Sequence, residues 1–288
     1  MVVDGRGHRP VRAPAGGTQA PGGPSVSAGL LQAETVAWVN QVQLNSGTVS
    51  VARQALVDAL IVGLKANGIW AKLDRLWLLA AENTPAALTD LVGLTLAVAN
   101  GSPAFAVDDG YTGVDASSTV YLDTGFNASA AGGLFSLNSA HYSVWGVTNA
   151  QSSASGGAAI GHLVGGNEGY IYPYYSDGNS HFAVNDGTHD SSSGATIGSS
   201  QGHWIVSRTA SNAKSGYRNG SNVYGPVSTP TSAASLSNMN TTILMQGGTG
   251  AGSAVQYAMA SIGGGLDSTD ASNLYSRLRT YMTAIGVP

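Results

Sequence analysis

Apolar residues recur at intervals of three and four through residues 31–100, which is the spacing of amphipathic helices. The clearest stripe predicts a helix that starts after Ser46 or Thr48 and ends at Asn67-Gly68. Its members are Val49, Ala52, Leu56, Leu60 and Leu64. Similar stripes predict a short helix within 31–44, a second helix over 70–80, and a third that begins at Thr84-Pro85.

The pattern changes after residue 101, where short apolar and aromatic runs alternate with clusters of Gly, Asn, Asp and Ser. The predicted strands cover 119–122, 142–147, 160–164, 170–175, 181–184, 204–208, 216–218, 242–245 and 255–262. Asn219-Gly220 is the strongest hairpin signal, because both residues tolerate positive φ. A last stripe, capped by Asp267 or Ser268 and closed by Gly286, predicts a C-terminal helix.

These patterns predict an α+β chain in three parts. Residues 1–30 contain four prolines and seven glycines, and cannot bury enough apolar surface to offset their ordering entropy. We expect a disordered arm there, or an arm that orders only within a larger assembly. A helical domain over 31–100 follows. Residues 101–288 are expected to form an all-β jelly-roll sandwich that ends in the C-terminal helix.

Composition excludes several classes of function. Charged residues make up only 10% of the 288 residues and the net charge is −4, so a nucleic-acid partner is not expected. The absence of cysteine excludes disulfides, thiolate metal sites and a cysteine nucleophile. The N-terminal residues show no apolar core of a signal peptide. The apolar stretch 76–99 is interrupted by acidic residues and a proline, so we expect no membrane insertion.

Several short motifs follow one another in a characteristic order after residue 101. They are Gly110-Tyr111-Thr112-Gly113, Tyr121-Leu122-Asp123-Thr124-Gly125-Phe126, His141-Tyr142-Ser143-Val144-Trp145, Ser207-Arg208-Thr209, Gly216-Tyr217-Arg218-Asn219-Gly220 and Ala260-Ser261-Ile262-Gly263. This order resembles the laminin-G-like, concanavalin-like jelly-roll domains of phage and prophage structural proteins. The resemblance covers about residues 101–285. It implies a virion protein that contacts cell-surface glycans, and it carries over no catalytic set.

The sequence speaks against catalysis. Glycosidases use two close carboxylates, whereas Glu168 is the only glutamate after residue 100 and has no acidic neighbour in sequence. Gly198-Ser199-Ser200-Gln201-Gly202 matches the nucleophile-elbow pattern, but a predicted strand follows it where the motif needs a helix. We therefore expect that the chain is not an enzyme.

Aromatic and polar residues are most concentrated in one short segment. Sugars are held by an aromatic face with nearby amide and carboxylate groups, so the candidate glycan-binding residues are Tyr170, Tyr172, Tyr174, Asp177 and Asn179. Strand alternation predicts the three tyrosines on one face and Tyr175 on the other. Pro173 confines this run to an edge strand or a bulge. The alternative is that these tyrosines pack between sheets.

The same segment suggests a calcium site. Asp177, Asn179 and Asp186, with backbone carbonyl groups, would suit a hard cation. His181 and His189 flank Asp186 and could form a different loop metal site. The alternative is that all of these are solvated loop residues. No cofactor other than calcium is indicated.

The resulting functional prediction is a phage virion structural protein, such as a tail fibre, spike or head decoration component. It would present the jelly-roll domain to host cell-surface polysaccharide. Its arm and helical domain would contact other virion proteins, and copies of the chain would form a homo-oligomer such as a trimer. The alternatives are a surface-glycan depolymerase and a capsid decoration protein that binds no glycan.

Overall fold

The computed structural model describes residues 30–187, 196–227 and 232–288. Apart from its last residue, the predicted arm over 1–30 lies outside the described residues, as does His189. The strands of the described part are β1 (Leu73–Trp77), β2 (Val98–Asn100), β3 (Ala104–Ala106), β4 (Gly110–Thr112), β5 (Tyr121–Asn127), β6 (Ala140–Gly146), β7 (Ile160–Val164), β8 (Asn167–Tyr172), β9 (His181–Asp186), β10 (Gly202–Ala210), β11 (Ala213–Arg218), β12 (Ser221–Val227), β13 (Asn240–Ile243) and β14 (Gln256–Gly263).

These strands form two antiparallel sheets. The eight-stranded sheet has the order β12-β11-β10-β6-β14-β4-β3, and β1 also pairs with β14. Two strands share that edge of β14, since Tyr257 pairs with Tyr111 of β4 whereas Ser261 pairs with Leu76 of β1. The six-stranded sheet has the order β2-β5-β13-β7-β8-β9.

The two sheets pack face to face around one apolar core. The phenol of Tyr142 on β6 lies 3.1 Å from His162 Nδ1 on β7. At another point, the ring centroids of Phe182 on β9 and Trp204 on β10 lie 6.2 Å apart. Alternate residues of each strand therefore fill the space between the sheets. The predicted β-sandwich is confirmed, with buried side chains of both sheets in a single cluster.

Five α-helices lie among the described residues, and the last of them packs on the outer face of the eight-stranded sheet. They are α1 (Ala33–Leu44), α2 (Val51–Ala66), α3 (Thr84–Leu88), α4 (Ala128–Ala131) and α5 (Ser268–Ala284). Tyr275 of α5 stacks on Trp145 of β6 at 5.8 Å, and α2 packs on α5, where Arg53 Nη1 donates to the Tyr281 hydroxyl at 3.1 Å. Asp267 caps α5 in a reciprocal capping box with Asp270, so the predicted C-terminal helix is confirmed.

Residues 31–288 form one compact unit, where the sequence predicts a helical domain and a separate β domain. The predicted helix over 70–80 is wrong, because residues 70–72 form a short 3-10 turn and the next five form β1. Residues 76–81 are all buried, and apolar spacing does not distinguish a buried strand from a buried helix. β4 pairs with only the first two residues of β14, and residues 73–77 are extended because they pair with the rest of that edge.

The third predicted helix is also shorter than expected, since α3 ends at Leu88. The buried carboxylate of Asp90 accepts hydrogen bonds from the backbone N–H groups of Val92, Gly93 and Thr95. These bonds give the segment a local alternative to the helical pattern.

The strands predicted after residue 101 agree with the structure more closely than the helices predicted over 70–80 and from Thr84. Each of the nine predicted runs overlaps a strand of the structure. The hairpin prediction is confirmed as well, because Asn219 and Gly220 join β11 to β12 with φ of 50° and 75°. The short strands β2, β3 and β4 carry no pattern long enough to be recognised.

Candidate functional site: a tyrosine surface and an arginine pocket

The predicted glycan-binding residues lie at the end of the β8–β9 hairpin, and we call Tyr170, Tyr172, Tyr174, Asp177 and Asn179 the tyrosine surface. Tyr170 is only 1% exposed, and its ring meets that of Tyr172 edge to face at 4.9 Å. Tyr172 is half-buried and donates its hydroxyl hydrogen to Gln246 Oε1 at 2.9 Å. Burial raises the pKa of Tyr172. These two tyrosines are therefore mainly packing residues.

Tyr175 lies on the same side as Tyr172, and the predicted placement on opposite faces is wrong. The two rings meet edge to face at 5.3 Å, and the Tyr175 hydroxyl donates to the Ala154 carbonyl at 2.6 Å. Strand alternation does not reach Tyr175, because β8 ends at Tyr172, just before Pro173. Tyr174 is half-buried beyond the strand end.

Asp177 and Asn179 form a local hydrogen-bonded loop. Asp177 Oδ1 accepts from Asn179 N at 2.9 Å, and Asp177 Oδ2 lies 3.0 Å from His181 Nε2. Slight burial raises the pKa of Asp177, but the bond from Asn179 and the neighbouring His181 outweigh it and lower the pKa overall. Thr196 Oγ1 donates to Asn179 Oδ1 at 2.6 Å. Both side chains remain partly exposed.

The third predicted calcium ligand, Asp186, lies elsewhere. In the β8–β9 pairing, Asp186 stands opposite Glu168 at one end, whereas His181 stands opposite Tyr172 at the other. Asp186 is 2% exposed and accepts hydrogen bonds from Arg208 and Lys214. The structure therefore does not bring Asp186 to Asp177 and Asn179. Within the described residues, no group of three acidic, histidine or cysteine residues could hold a metal ion.

A pocket absent from the sequence predictions lies where β6, β10 and the β11–β12 turn meet α5. It measures about 470 Å³ with its open mouth included. Its polar and aromatic lining consists of Trp145, Gln201, Arg218, Asn219, Tyr275 and Arg279. We call it the arginine pocket. None of the described residues that line it has an acidic side chain.

Both arginines of this pocket rest on indole rings. The Arg279 guanidinium lies 5.4 Å from the ring centroid of Trp145, and the Arg218 guanidinium lies 5.2 Å from that of Trp204. Arg218 Nε and Nη2 both donate to the Gln201 carbonyl, at 3.1 and 2.8 Å. Indole stacking and carbonyl bonds thus hold the guanidinium groups in place.

His203 lies beneath the pocket in an apolar setting. Its ring stacks with Trp145 at 5.6 Å and with Tyr275 at 6.2 Å. Both ring nitrogens are buried and have no hydrogen-bond partner in the described part of the chain. Burial lowers the pKa of His203 to about 3, with His141 adding a smaller effect in the same direction. His203 is therefore neutral at physiological pH.

Sequence reasoning missed the arginine pocket because its residues come from three distant segments. Arg218 belongs to a hairpin motif, and Arg279 reads as a cation near a helix C-terminus. The sequence does contain one signal. Residues 101–288 have only five lysines and arginines, so a basic residue without an acidic partner there indicates a candidate ligand site.

Comparison with known proteins places the fold but not a family. No protein-family model matches the chain, and no curated protein matches its sequence. A Trypanosoma rangeli sialidase, solved in complex with sialic acid, is 13% identical with a TM-score of 0.50; the match covers 80% of this chain and 40% of that one. The chain thus spans about two fifths of the sialidases it matches.

Two further solved structures match less well. Domain 4 of AbnA, a GH43 extracellular arabinanase from Geobacillus stearothermophilus in complex with arabinotriose, is 14% identical, with 70% of this chain and 98% of that chain covered and a TM-score of 0.47. The binding domain of Paraclostridial Mosquitocidal Protein 1 is 12% identical, with coverages of 72% and 52% and a TM-score of 0.45. Of the three structures, only the sialidase reaches a TM-score of 0.50, and its similarity shows a shared fold alone.

The expectation that the chain is not an enzyme needs correction. A sialidase contains a region of this fold, so the fold is compatible with a place in a glycan-active enzyme. The prediction that the chain is not an enzyme assumed that Glu168 has no second carboxylate nearby. Glu168 has no acidic neighbour in sequence, but Asp186 is its cross-strand partner.

Among the helices of the described residues, none is both long and apolar enough to cross a membrane.

Proposed function

We propose that this chain is a carbohydrate-binding β-sandwich whose main ligand site is the arginine pocket. The observation that carries the proposal is the combination of a half-buried aromatic ring, Tyr275, with amide and guanidinium groups around one concave site. Sugars are held by such sets, in which an aromatic face meets a few convergent polar groups.

The side-chain amides of Gln201 and Asn219 each keep one polar atom available to a ligand. Gln201 Nε2 donates to the Val147 carbonyl at 2.9 Å, which leaves Oε1 without a partner in the described part of the chain. Asn219 Oδ1 accepts from His203 N at 2.9 Å, which leaves Nδ2 without one there. Each amide is thus fixed by one atom and offers the other.

The site is also pre-formed. Trp145 beneath Tyr275 is 1% exposed, so the stacked pair has little freedom to move. Gly202 allows the turn to approach the strand, since its φ is 105° and a Cβ there would lie 2.5 Å from Asn219 Oδ1. A rigid site loses little conformational entropy when a ligand binds.

The tyrosine surface is a second candidate glycan site. Partly exposed Tyr174 stands three residues before the exposed Asp177 in the chain, which supports a site with an aromatic ring and a carboxylate. Calcium would act there through Asp177 and Asn179, without Asp186.

The biological setting is proposed from the sequence resemblance alone. The order of motifs supports a phage virion component with jelly-roll topology, such as a tail fibre, spike or head decoration protein. Its partners would be host polysaccharide, other virion proteins and further copies of the chain. Mass spectrometry of purified particles tests this setting, and absence of the chain from particles would refute it.

The binding proposal is tested with the full chain on a glycan array, in calcium and in chelator. We expect reproducible binding that is lost in Tyr275→Ala and retained in Tyr174→Ala, with circular dichroism confirming that each variant is folded. Binding lost in Tyr174→Ala but not in Tyr275→Ala would move the site to the tyrosine surface. No bound glycan at all would overturn the proposal.

The same ligand then reports on catalysis. Release of new reducing ends from the bound polysaccharide, abolished by Glu168→Gln, would identify a depolymerase, and stable ligand would identify a binding module.

A further inference from the structure

We infer that the arginine pocket selects anionic saccharides, with Arg218 and Arg279 each binding an oxyanion carried on the saccharide. This inference rests on the proposed function and specifies the ligand class of the same site.

The distribution of positive charge singles out this pocket. Residues 101–288 contain five basic residues, Arg208, Lys214, Arg218, Arg277 and Arg279, against ten acidic ones. Arg208 and Lys214 are buried against Asp186, and Arg277 Nε donates to Asn67 Oδ1 at 2.7 Å on the surface. The remaining two both line the arginine pocket.

Neither pocket arginine is neutralised within the described residues. The hydrogen bonds of Arg218 end on the Gln201 carbonyl, and those of Arg279 end on Thr283 Oγ1 at 3.1 Å and the Val287 carbonyl at 3.4 Å. These acceptors are all uncharged. In both residues Nη1 has no partner among the described residues, although a guanidinium carries five N–H donors.

The environment makes an anion favourable. Partial burial lowers the pKa of Arg218, and no nearby carboxylate opposes that effect. A partly desolvated cation without a counter-ion gains more from an anionic ligand than a fully hydrated one does. Guanidinium groups match carboxylate, sulfate and phosphate oxygens in paired hydrogen bonds.

The pocket also supplies a place for the sugar ring. Tyr275 and the free amide atoms of Gln201 and Asn219 share the lining with the two arginines. A free inorganic anion would use only the arginines, whereas an anionic saccharide would use both sets of groups. The inference therefore commits to an oxyanion borne by a sugar.

The test measures full-length protein by calorimetry against anionic oligosaccharides and their neutral counterparts. The probes are oligogalacturonate with its methyl ester, sialyllactose with lactose, and a heparin oligosaccharide with its desulfated form; inorganic sulfate is included alone. We expect at least one anionic member to bind more than about tenfold tighter than its partner, and that preference to be lost in Arg218→Gln and in Arg279→Gln.

The matched control is Arg277→Gln, which removes the same charge two residues from Arg279 and outside the pocket. It should leave the preference unchanged, and Arg218→Lys should restore only part of it because lysine keeps the charge without the paired donors.

The outcomes separate the two proposals. Equal affinity for acidic and neutral members, still dependent on Tyr275, would refute the anionic preference and keep carbohydrate binding. An equal loss of preference in Arg277→Gln would refute the pocket as its origin. Sulfate bound as tightly as any oligosaccharide would show a simple anion site and refute the sugar component. No binding to any saccharide would refute the proposed function itself.

Discussion

Two pairs of basic side chains in this protein have opposite surroundings. Arg208 and Lys214 point into the sandwich, where they are 0% and 1% exposed and share the carboxylate of Asp186. Arg218 and Arg279 line the arginine pocket, where the described chain offers them only carbonyl and hydroxyl oxygens.

This difference separates a structural charge cluster from a ligand site. Arg208 and Lys214, the inner pair, both donate to Asp186, and backbone carbonyls accept further bonds from them, such as the bond from Arg208 Nε to the Val184 carbonyl at 2.9 Å. Arg218 and Arg279, the outer pair, bond to no acidic side chain among the described residues, and their pocket is open to solvent. We therefore expect changes in the inner cluster to alter stability and changes in the outer pair to alter binding.

The largest effect should follow Asp186→Asn. The substitution leaves two buried cations without a counter-ion, which costs about 3–5 kcal/mol of unfolding free energy. Urea denaturation monitored by tryptophan fluorescence measures the loss. The exposed Asp109→Asn is the control, with little change expected. A loss below about 1 kcal/mol for Asp186→Asn would show that the inner cluster is not structural.

The next effect concerns acid stability beneath the arginine pocket. Burial lowers the folded-state pKa of His203 to about 3, so below the unfolded value of about 6.5 the unfolded chain binds the proton and the native state does not. Stability should therefore fall as pH falls from about 6.5, by about 1.4 kcal/mol per unit for this group. Denaturation curves at several pH values measure the slope.

His203→Phe is the matching variant, because phenylalanine keeps the ring and the native histidine nitrogens have no partner to lose in the described residues. Between pH 6.5 and 4.5 the variant should therefore lose about 2–3 kcal/mol less unfolding free energy than the native chain does. His141, whose pKa burial lowers to about 4, accounts for part of the remaining slope. An unchanged slope in His203→Phe would contradict the burial of a neutral ring.

How much the sequence could predict differs between these regions as well. The β-sandwich follows from local signals, since turn residues such as Asn219-Gly220 and β-branched runs act within a few residues. The segment 73–77 fails, because its helical or extended state depends on the distant edge of β14. Local patterns therefore predict strands whose partners are nearby and fail where a long-range pairing decides.

The site depends on long-range contacts throughout. Tyr172 and Tyr174 suggest a sugar surface, but the sequence does not show that Tyr172 is bonded to Gln246. Likewise, Asp186 resembles a loop ligand in sequence and is a buried counter-ion in the fold. Residue types identify candidates, and only packing shows which of them remain free for a ligand.

A smaller effect should follow the double substitution of Arg218→Gln and Arg279→Gln. Each arginine loses a stacking contact with an indole ring, worth about 0.5–1 kcal/mol at a partly exposed site. The sum stays well below the loss in Asp186→Asn, while anionic binding is abolished. Urea denaturation of this variant beside Asp186→Asn makes the comparison direct. An equal loss of stability in both would assign the outer pair a structural role.

The smallest effect should follow Asp177→Asn. Its carboxylate is partly exposed and lies 3.0 Å from His181 Nε2, and exposed ion pairs of this kind contribute about 0–1 kcal/mol. Since the native environment lowers the pKa of Asp177, any contribution is present at neutral pH and is lost as the carboxyl group protonates in acid.

Thermal unfolding of the native chain and of Asp177→Asn, with calcium and with chelator, tests whether this loop binds a metal. A calcium-dependent rise in Tm that Asp177→Asn removes would make this loop a metal site, because calcium stabilises only the state that binds it. An unchanged Tm would leave the Asp177–His181 pair as a surface contact, in contrast to the buried carboxylate of Asp186.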